Sequence, residues 1–374
     1  MPAYKDKLTG KWYVNFYAKD KRGNNKKYKK TGFSTKKEAL EYEYEFKKIK
    51  YGEPEIQYKF LVAEYLKEHK ETNKQSSHQG VEIIFNNFII PYFGELDLSN
   101  ITPGIIKDFV NYLKTYETKY KAPMSYNYFK AIYGQLSATF NYAIRYYGLV
   151  SNPCHKVKTN FEKDTKKEYN TWTVDQFNNF IEYMEVNCEN AAVIITFKLL
   201  FWTGMRLGEL LALTFGDVDL ENKLLDINKT KSRIKGGYDI TSPKTRSSIR
   251  KIQINDELVT ELKEYMSNFY KPKKNEELIN FSREGLRNYL KADFLKTLNL
   301  PKISTHDFRH SHATHLIKLD IDIVTISQRL GHISPKTTLE IYSHVYDRTN
   351  QELLDKLNAE YMKVRKNDIK DYIG

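Results

Sequence analysis

The spacing of the hydrophobic residues changes twice along this chain of 374 residues, and no single motif constrains its architecture as much. In residues 11–18, Lys-Trp-Tyr-Val-Asn-Phe-Tyr-Ala, apolar side chains alternate, so Trp12, Val14, Phe16 and Ala18 share one face of a strand. A turn at 20–25 leads to a second strand over 26–33. Thr35 and Glu38 read as a capping box opening a helix that runs to about Lys50. Between 55 and 150 the spacing is helical. Thr102 and Pro103 start a helix that gathers Ile106, Phe109, Val110 and Leu113 on one face. Ser125 starts another, striped by Phe129, Ile132, Tyr133, Leu136, Phe140 and Ile144 and bounded by Gly148 and Pro153. From about Thr171 the pattern is mixed. A capping pair, Thr173 and Gln176, precedes a buried helix at 191–202, and a second helix starts at about Arg206. Strand-like runs follow at 223–228 and 249–254 with turn residues between them, and helices return after Ser304.

The expected class is α+β multidomain. A small basic sheet-plus-helix domain spans 1–52, a helical domain 55–153 and a Lys-rich linker 154–170. A mixed, mainly helical domain with a small antiparallel sheet takes 171–374.

Charge narrows the partners. The formal net charge is +13, and residues 1–30 hold nine Lys and Arg22 against Asp6 and Asp20, a net +8. Such a patch fits a polyanion, either nucleic acid or an anionic membrane surface, with a solvated, solubility-promoting face as the bland alternative. A β-sheet bearing Lys and aromatic residues can lie in a DNA groove. Cys154 and Cys188 are far apart and form no CxxC, which points to a reducing compartment rather than a disulfide framework or zinc knuckle. Met1 to Lys30 contains no apolar leader, and the most apolar stretch, Ala191 to Trp202, is short and interrupted by Lys198. A cytoplasmic protein without a membrane partner is expected.

Six of the nine histidines lie between His306 and His344. His306, His310, His312 and His315 raise the question of a metal site, but HExxH spacing is absent and neither cysteine is near. Histidines wrapped around one helix do not converge on one ion. The arginines suggest another use. His306 and Arg309 stand one turn apart near the positive end of a helix that Ser304 or Thr305 would cap, where phosphate is welcome. Arg206 follows Gly204 at another helix start, with Glu209 one turn on to orient it. Two guanidinium forks can clamp phosphate oxygens, although for either arginine alone a structural salt bridge is the commoner explanation.

Thr203-Gly-Met-Arg-Leu-Gly-Glu-Leu-Leu-Ala-Leu213, His306-Asp-Phe-Arg-His-Ser-His-Ala-Thr314, Leu330-Gly-His332 and Thr338-Leu-Glu-Ile-Tyr-Ser-His344 resemble, in order and spacing, the boxes of tyrosine recombinases of the phage-lambda integrase type. Ser242-Pro-Lys-Thr-Arg-Ser-Ser-Ile-Arg250 is similar to the hairpin bearing that family's catalytic lysine, which makes Lys244 the candidate over Lys229, Lys231 and Lys235. The resemblance covers about 170–345 and implies a catalytic set of Arg206, Lys244, His306, Arg309, His332 and Tyr342. It implies that Tyr342 attacks a DNA phosphate to give a 3′-phosphotyrosine, with His306 as acid/base partner, the arginines and His332 on the phosphate oxygens, and Lys244 as general acid. It implies no cofactor and no metal. Implied partners are double-stranded DNA attachment sites, three further copies in a homotetramer, an excisionase and a DNA-bending protein.

The N-terminal module resembles an arm-type DNA-binding domain, and 55–150 the core-site-binding domain. Ser334-Pro335 starts the helix of Tyr342 as a separable element, and a tail with Leu353, Leu354 and Leu357 would dock on its own domain or on a neighbour. The rivals are a chromosome-dimer-resolving recombinase, a type IB-like topoisomerase and a catalytically silent DNA-binding regulator. A metal-dependent transposase would need a carboxylate cluster that the sequence does not offer.

Overall fold

The computed structural model describes residues 3–7, 9–19, 25–50, 56–117, 122–161, 170–243, 245–346, 354–355 and 357–362. It divides into two compact units, Met1–Lys167 and Glu168–Gly374. None of the described helices is long and apolar enough to cross a membrane.

The first unit opens with a three-stranded antiparallel sheet, Tyr4–Lys5, Trp12–Lys19 and Asn25–Phe33 in that order. The two-residue strand Tyr4–Lys5 was not legible in the sequence pattern. Alternation buries Val14 and Phe16 against Ala39 of the helix Lys36–Lys50. The opposite face carries Tyr13 and Tyr17, paired with Thr31 and Lys27, and Lys29 stands over the Tyr13 ring. The helix start is capped as expected, except that the Glu38 carboxylate accepts from the Ser34 N–H rather than from Thr35, while Thr35 Oγ1 accepts from the Glu38 N–H.

Helices Tyr58–Thr72, Gln75–Ile84, Pro103–Thr115 and Tyr126–Tyr146 then surround a second core. Thr102 and Ser125 accept from the backbone N–H three residues on, and the apolar stripes that follow them are buried. Tyr133 is half-buried, and Ile144 lies past the buried part of its stripe, 39% exposed. The helix Gln75–Ile84 widens into a π turn at Phe85–Ile89 before ending as Ile90–Phe93. Pro91 lacks a backbone N–H, so the regular bond pattern has to adjust there.

The second unit is built around the buried helix Ala191–Thr203. Helix Val174–Asn187, opened by the full Thr173–Gln176 capping box, packs on it through Phe177, whose ring stacks on Phe201 at 3.9 Å. Strands Val218–Asp219, Leu224–Ile227 and Arg250–Gln253 form an antiparallel sheet that buries Leu225 opposite Ile252. The residues between the last two strands were expected as turn, yet they form a separate hairpin, Thr230–Ile234 with Gly237–Thr241. Helices Asp256–Ser267, Asp307–Lys318, Ile323–Leu330 and Pro335–Tyr346 complete the unit. The helix expected from about Arg206 is a single turn, Leu207–Leu210, after which the chain bends into a 3-10 turn at Phe215–Asp217. In the tail Leu354 and Leu357 are exposed, and Leu353 lies outside the described residues.

Candidate active site

Helix Ala191–Thr203 ends at Gly204, whose φ of 65° is left-handed. A Cβ there would stand 2.6 Å from Cδ2 of His312, so the close approach also requires glycine. The reversed backbone presents the Gly204 carbonyl to Nη1 of Arg309 at 2.9 Å. Two residues on, Arg206 begins the short turn. Its N–H and Nη1 both donate to the Glu209 carboxylate, at 2.9 and 2.7 Å. The same carboxylate accepts from Nη2 of Arg250 at 3.0 Å. Burial opposes ionisation of Glu209, but Arg250 and then Arg206 outweigh it and hold its carboxyl below the usual range. One buried anion thus fixes two cations.

Arg309 is 2% exposed on the helix Asp307–Lys318, and its Nη2 is buried without a hydrogen-bond partner among the described residues. Burial first, and then repulsion by the like charge of Arg206, pulls its pKa down to about 9. An unsatisfied buried guanidinium N–H is rare and costly, and its natural acceptor is an anion.

His332 follows left-handed Gly331 at the end of helix Ile323–Leu330. Its Nδ1 lies 2.7 Å from Oγ1 of Thr338, a fully buried residue on helix Pro335–Tyr346. Burial, then Arg309 and Arg206, push its pKa down to about 3, so the imidazole is neutral at pH 7. One turn beyond Thr338 is Tyr342. Its ring is buried among Ala313, Ile317, Ile326 and Leu330, while its hydroxyl lies 2.7 Å from Nδ1 of His310 and acts on the charge of Arg309. The hydroxyl of Tyr342 therefore faces the polar cluster while its ring packs in the apolar core.

One expectation needs adjusting, and another falls outside the described residues. His306 is exposed at the helix start, where neither Ser304 nor Thr305 provides the cap; instead the Asp307 carboxylate accepts from the Ser304 N–H at 2.8 Å. Arg309, one turn on, is buried. The His306 ring meets His310 edge-on, 5.0 Å between centroids, and His310 makes the bond to Tyr342. Lys244 lies outside the described residues. Among the competing lysines, Lys229 is engaged by Asp217 and Lys231 by Glu277, each at 2.5 Å.

Comparisons with known proteins bear on this arrangement. Residues 170–349 match the phage integrase family model. The chain is 31% identical to the ICEBs1 integrase of Bacillus subtilis (strain 168) over 343 residues, covering 87% of this chain and 90% of that one. The chain belongs to the phage integrase family. The integrase of Staphylococcus phage L54a is 32% identical over 279 residues, 66% of this chain and 78% of the relative. Residues 2–49 match an arm DNA-binding domain, and 58–114 the SAM-like N-terminal domain of phage integrases. In fold, the chain is similar to the integrase of the Tn1549 transposon solved with transposon right end DNA, with a TM-score of 0.66, 22% identity, and 81% and 100% of the two chains covered. A lambda integrase dimer on a core site gives a TM-score of 0.56 at 16% identity, with 76% of this chain and 95% of that one covered. The enzyme is a tyrosine site-specific recombinase.

Several residues that shape this recombinase's site were not singled out from the sequence. Arg250 is one, buried beside Glu209 and also donating to the carbonyls of Arg329 and Ser248. Arg329 is another: its Nε donates to Nε2 of His312 at 2.9 Å, and its other nitrogens donate to the carbonyls of Gln253 and Trp202. His312, held well below its ordinary pKa chiefly by burial, is a neutral acceptor in that latch. His310 and Thr338 complete the set. The His-rich run signalled His310 and His312, but only the fold assigns one to Tyr342 and the other to Arg329.

Proposed function

We propose that Tyr342 is the nucleophile of a reaction that cuts and rejoins DNA strands, integrating and excising a mobile element or prophage at paired attachment sites. The observation that carries this reading is the buried, half-satisfied guanidinium of Arg309 beside Arg206, His332 and the Tyr342 hydroxyl. Charge stabilisation is the larger requirement. A phosphoryl-transfer transition state gathers charge on its non-bridging oxygens, and donors preorganised in a site of low dielectric meet it without reorganising. Arg309 offers Nη2 and Arg206 the part of its fork not held by Glu209. With the Thr338 hydroxyl donating to Nδ1 of His332, 2.7 Å away, Nε2 carries the ring proton and becomes the third donor. Lys244 protonates the departing 5′-oxygen. The 3′-phosphotyrosine conserves the energy of the broken phosphodiester, so rejoining needs no high-energy cofactor.

The basic N-terminal sheet, with Tyr13, Tyr17, Lys27 and Lys29 on its outer face, suits binding to arm sites, and the helical region after it suits the core sites. The expected assembly is a homotetramer on DNA, helped by an excisionase and a DNA-bending protein, in the cytoplasm. The test is a nicked duplex carrying the element's junction, incubated with protein in EDTA and resolved under denaturing conditions. A protein–DNA adduct that forms with wild type and not with Tyr342→Phe supports the reading; no adduct with wild type on any junction rejects it.

A further inference from the structure

We propose that Arg329 is a positioning residue for the phosphate clamp of Arg206, Arg309 and His332, with the His312 ring as its anchor. The inference rests on the recombinase reading above. Each of the three guanidinium nitrogens serves a different segment of the chain. Nε donates to Nε2 of His312 at 2.9 Å, one turn beyond Arg309 on the same helix. Nη2 donates at 3.0 Å to the carbonyl of Trp202, two residues before Gly204, whose own carbonyl holds Nη1 of Arg309. Nη1 donates at 2.9 Å to the carbonyl of Gln253, the last residue of the strand Arg250–Gln253. Arg329 itself stands three residues before His332, and its carbonyl accepts from Nε of Arg250 at 2.6 Å. Through Arg250 the contacts reach Glu209 and so Arg206. The segments that deliver Arg206, Arg309 and His332 are thus fastened at one half-buried side chain.

The acceptors argue for placement rather than for a salt bridge. Among the described residues no carboxylate pairs with Arg329; it donates to two carbonyls and a ring nitrogen. A cation drawn from water without a counter-ion is costly, and burial, then the like charge of Arg250, holds its pKa below the ordinary value. Arginine has no lone pair to offer, so Nε2 of His312 is the acceptor and the ring is neutral, with its proton on Nδ1. Burial first, and then Arg329, keep it neutral. The same ring fills the space that a side chain at Gly204 would need, 2.6 Å from the Cβ position. Only a planar fork meets three acceptors held apart in this way; an ammonium group would reach one. Without it the helices Asp307–Lys318 and Ile323–Leu330 are free to shift against each other, and Arg309 and His332 no longer converge on one phosphate.

Arg329→Gln and His312→Phe test this on the full-length protein. Each should bind a nicked junction duplex as wild type does and cleave it about 10²-fold more slowly in a single turnover, the cost of a small misplacement at a reacting centre. His312→Gln offers a carbonyl oxygen near the position of Nε2 and should recover at least about tenfold of what His312→Phe loses. Pairing with Arg309→Lys separates placement from stability. If Arg329 acts through the clamp, Arg329→Gln added to Arg309→Lys slows cleavage no further, and the same holds for His312→Phe; a general weakening of the fold would multiply the losses. His312→Phe, a ring of like size, carries the test should Arg329→Gln fail to fold. Four results would overturn the proposal: cleavage by both single variants at the wild-type rate, losses that multiply, a loss of DNA binding equal to the loss of cleavage, or His312→Gln no faster than His312→Phe. Wild type on the same gel separates the two readings, because an absent Tyr342 adduct there defeats the recombinase mechanism, whereas its presence puts only Arg329 and His312 at stake.

Discussion

Nη1 of Arg309 donates to the carbonyl of Gly204 at 2.9 Å, joining two motifs that lie 105 residues apart in sequence. That bond occupies one arm of the fork and aims the other, so the arginine's planarity matters as much as its charge. Arg309→Lys retains a cation but can serve either the carbonyl or a phosphate oxygen, not both. Cleavage should fall by about 10²–10³-fold, as for loss of one preorganised donor, with DNA affinity changed far less. Parallel mobility-shift and single-turnover assays decide it, and equal losses in the two would contradict the assignment.

Glu209 sits between Arg206 and Arg250 with both of its oxygens engaged. Removing one cation leaves a buried carboxylate short of charge. Arg250→Met is expected to destabilise the protein by about 3–5 kcal/mol. The double variant with Glu209→Gln should lose less than the sum of the single losses, because the second change removes the orphaned charge. Urea midpoints of the four proteins measure this, and strict additivity would mean that the pair is not coupled.

His332 gives a pH signature. Its pKa in the folded protein is lowered from 6.5 to about 3 by burial and by the nearby arginines, so below pH 6.5 the unfolded chain takes up a proton there that the folded chain refuses. The stability it contributes is complete above about pH 6.5 and is lost as pH falls toward 3. His332→Asn, which can keep a bond to Thr338, lacks this titration. The wild type should therefore lose melting temperature relative to the variant between pH 7 and pH 4, and a constant difference would count against a buried neutral imidazole.

Lys244 as general acid has a chemical test. Lys244→Ala should cleave ordinary DNA slowly yet regain most of its rate on a substrate whose leaving 5′-oxygen is replaced by sulfur, since a thiolate departs without a proton. Rescue of Lys229→Ala in its place would reassign the role.

The sequence was most readable where one local rule acts alone. The caps at Thr102, Ser125 and Thr173 and the buried stripes behind them depend on neighbours three or four residues away, and they appear as expected. Pairings set by tertiary contact were not readable. The 230–241 hairpin has little apolar alternation because its side chains are spent on ion pairs, Lys231 with Glu277 and Arg233 with Glu284. Arg250 looked like one basic residue in a strand-like run, because its partner Glu209 is 41 residues away. The contact between His310 and the Tyr342 hydroxyl spans 32 residues and depends on where the Tyr342 helix packs, which spacing alone does not encode.

The central claim concerns one bond. Trap the covalent complex on a nicked junction duplex, digest the protein and the DNA, and map the nucleotide-bearing peptide by mass spectrometry. We expect a 3′-linked nucleotide on the phenolic oxygen of Tyr342 and on no other residue. A nucleotide on a different side chain, or a 5′ linkage, would contradict it.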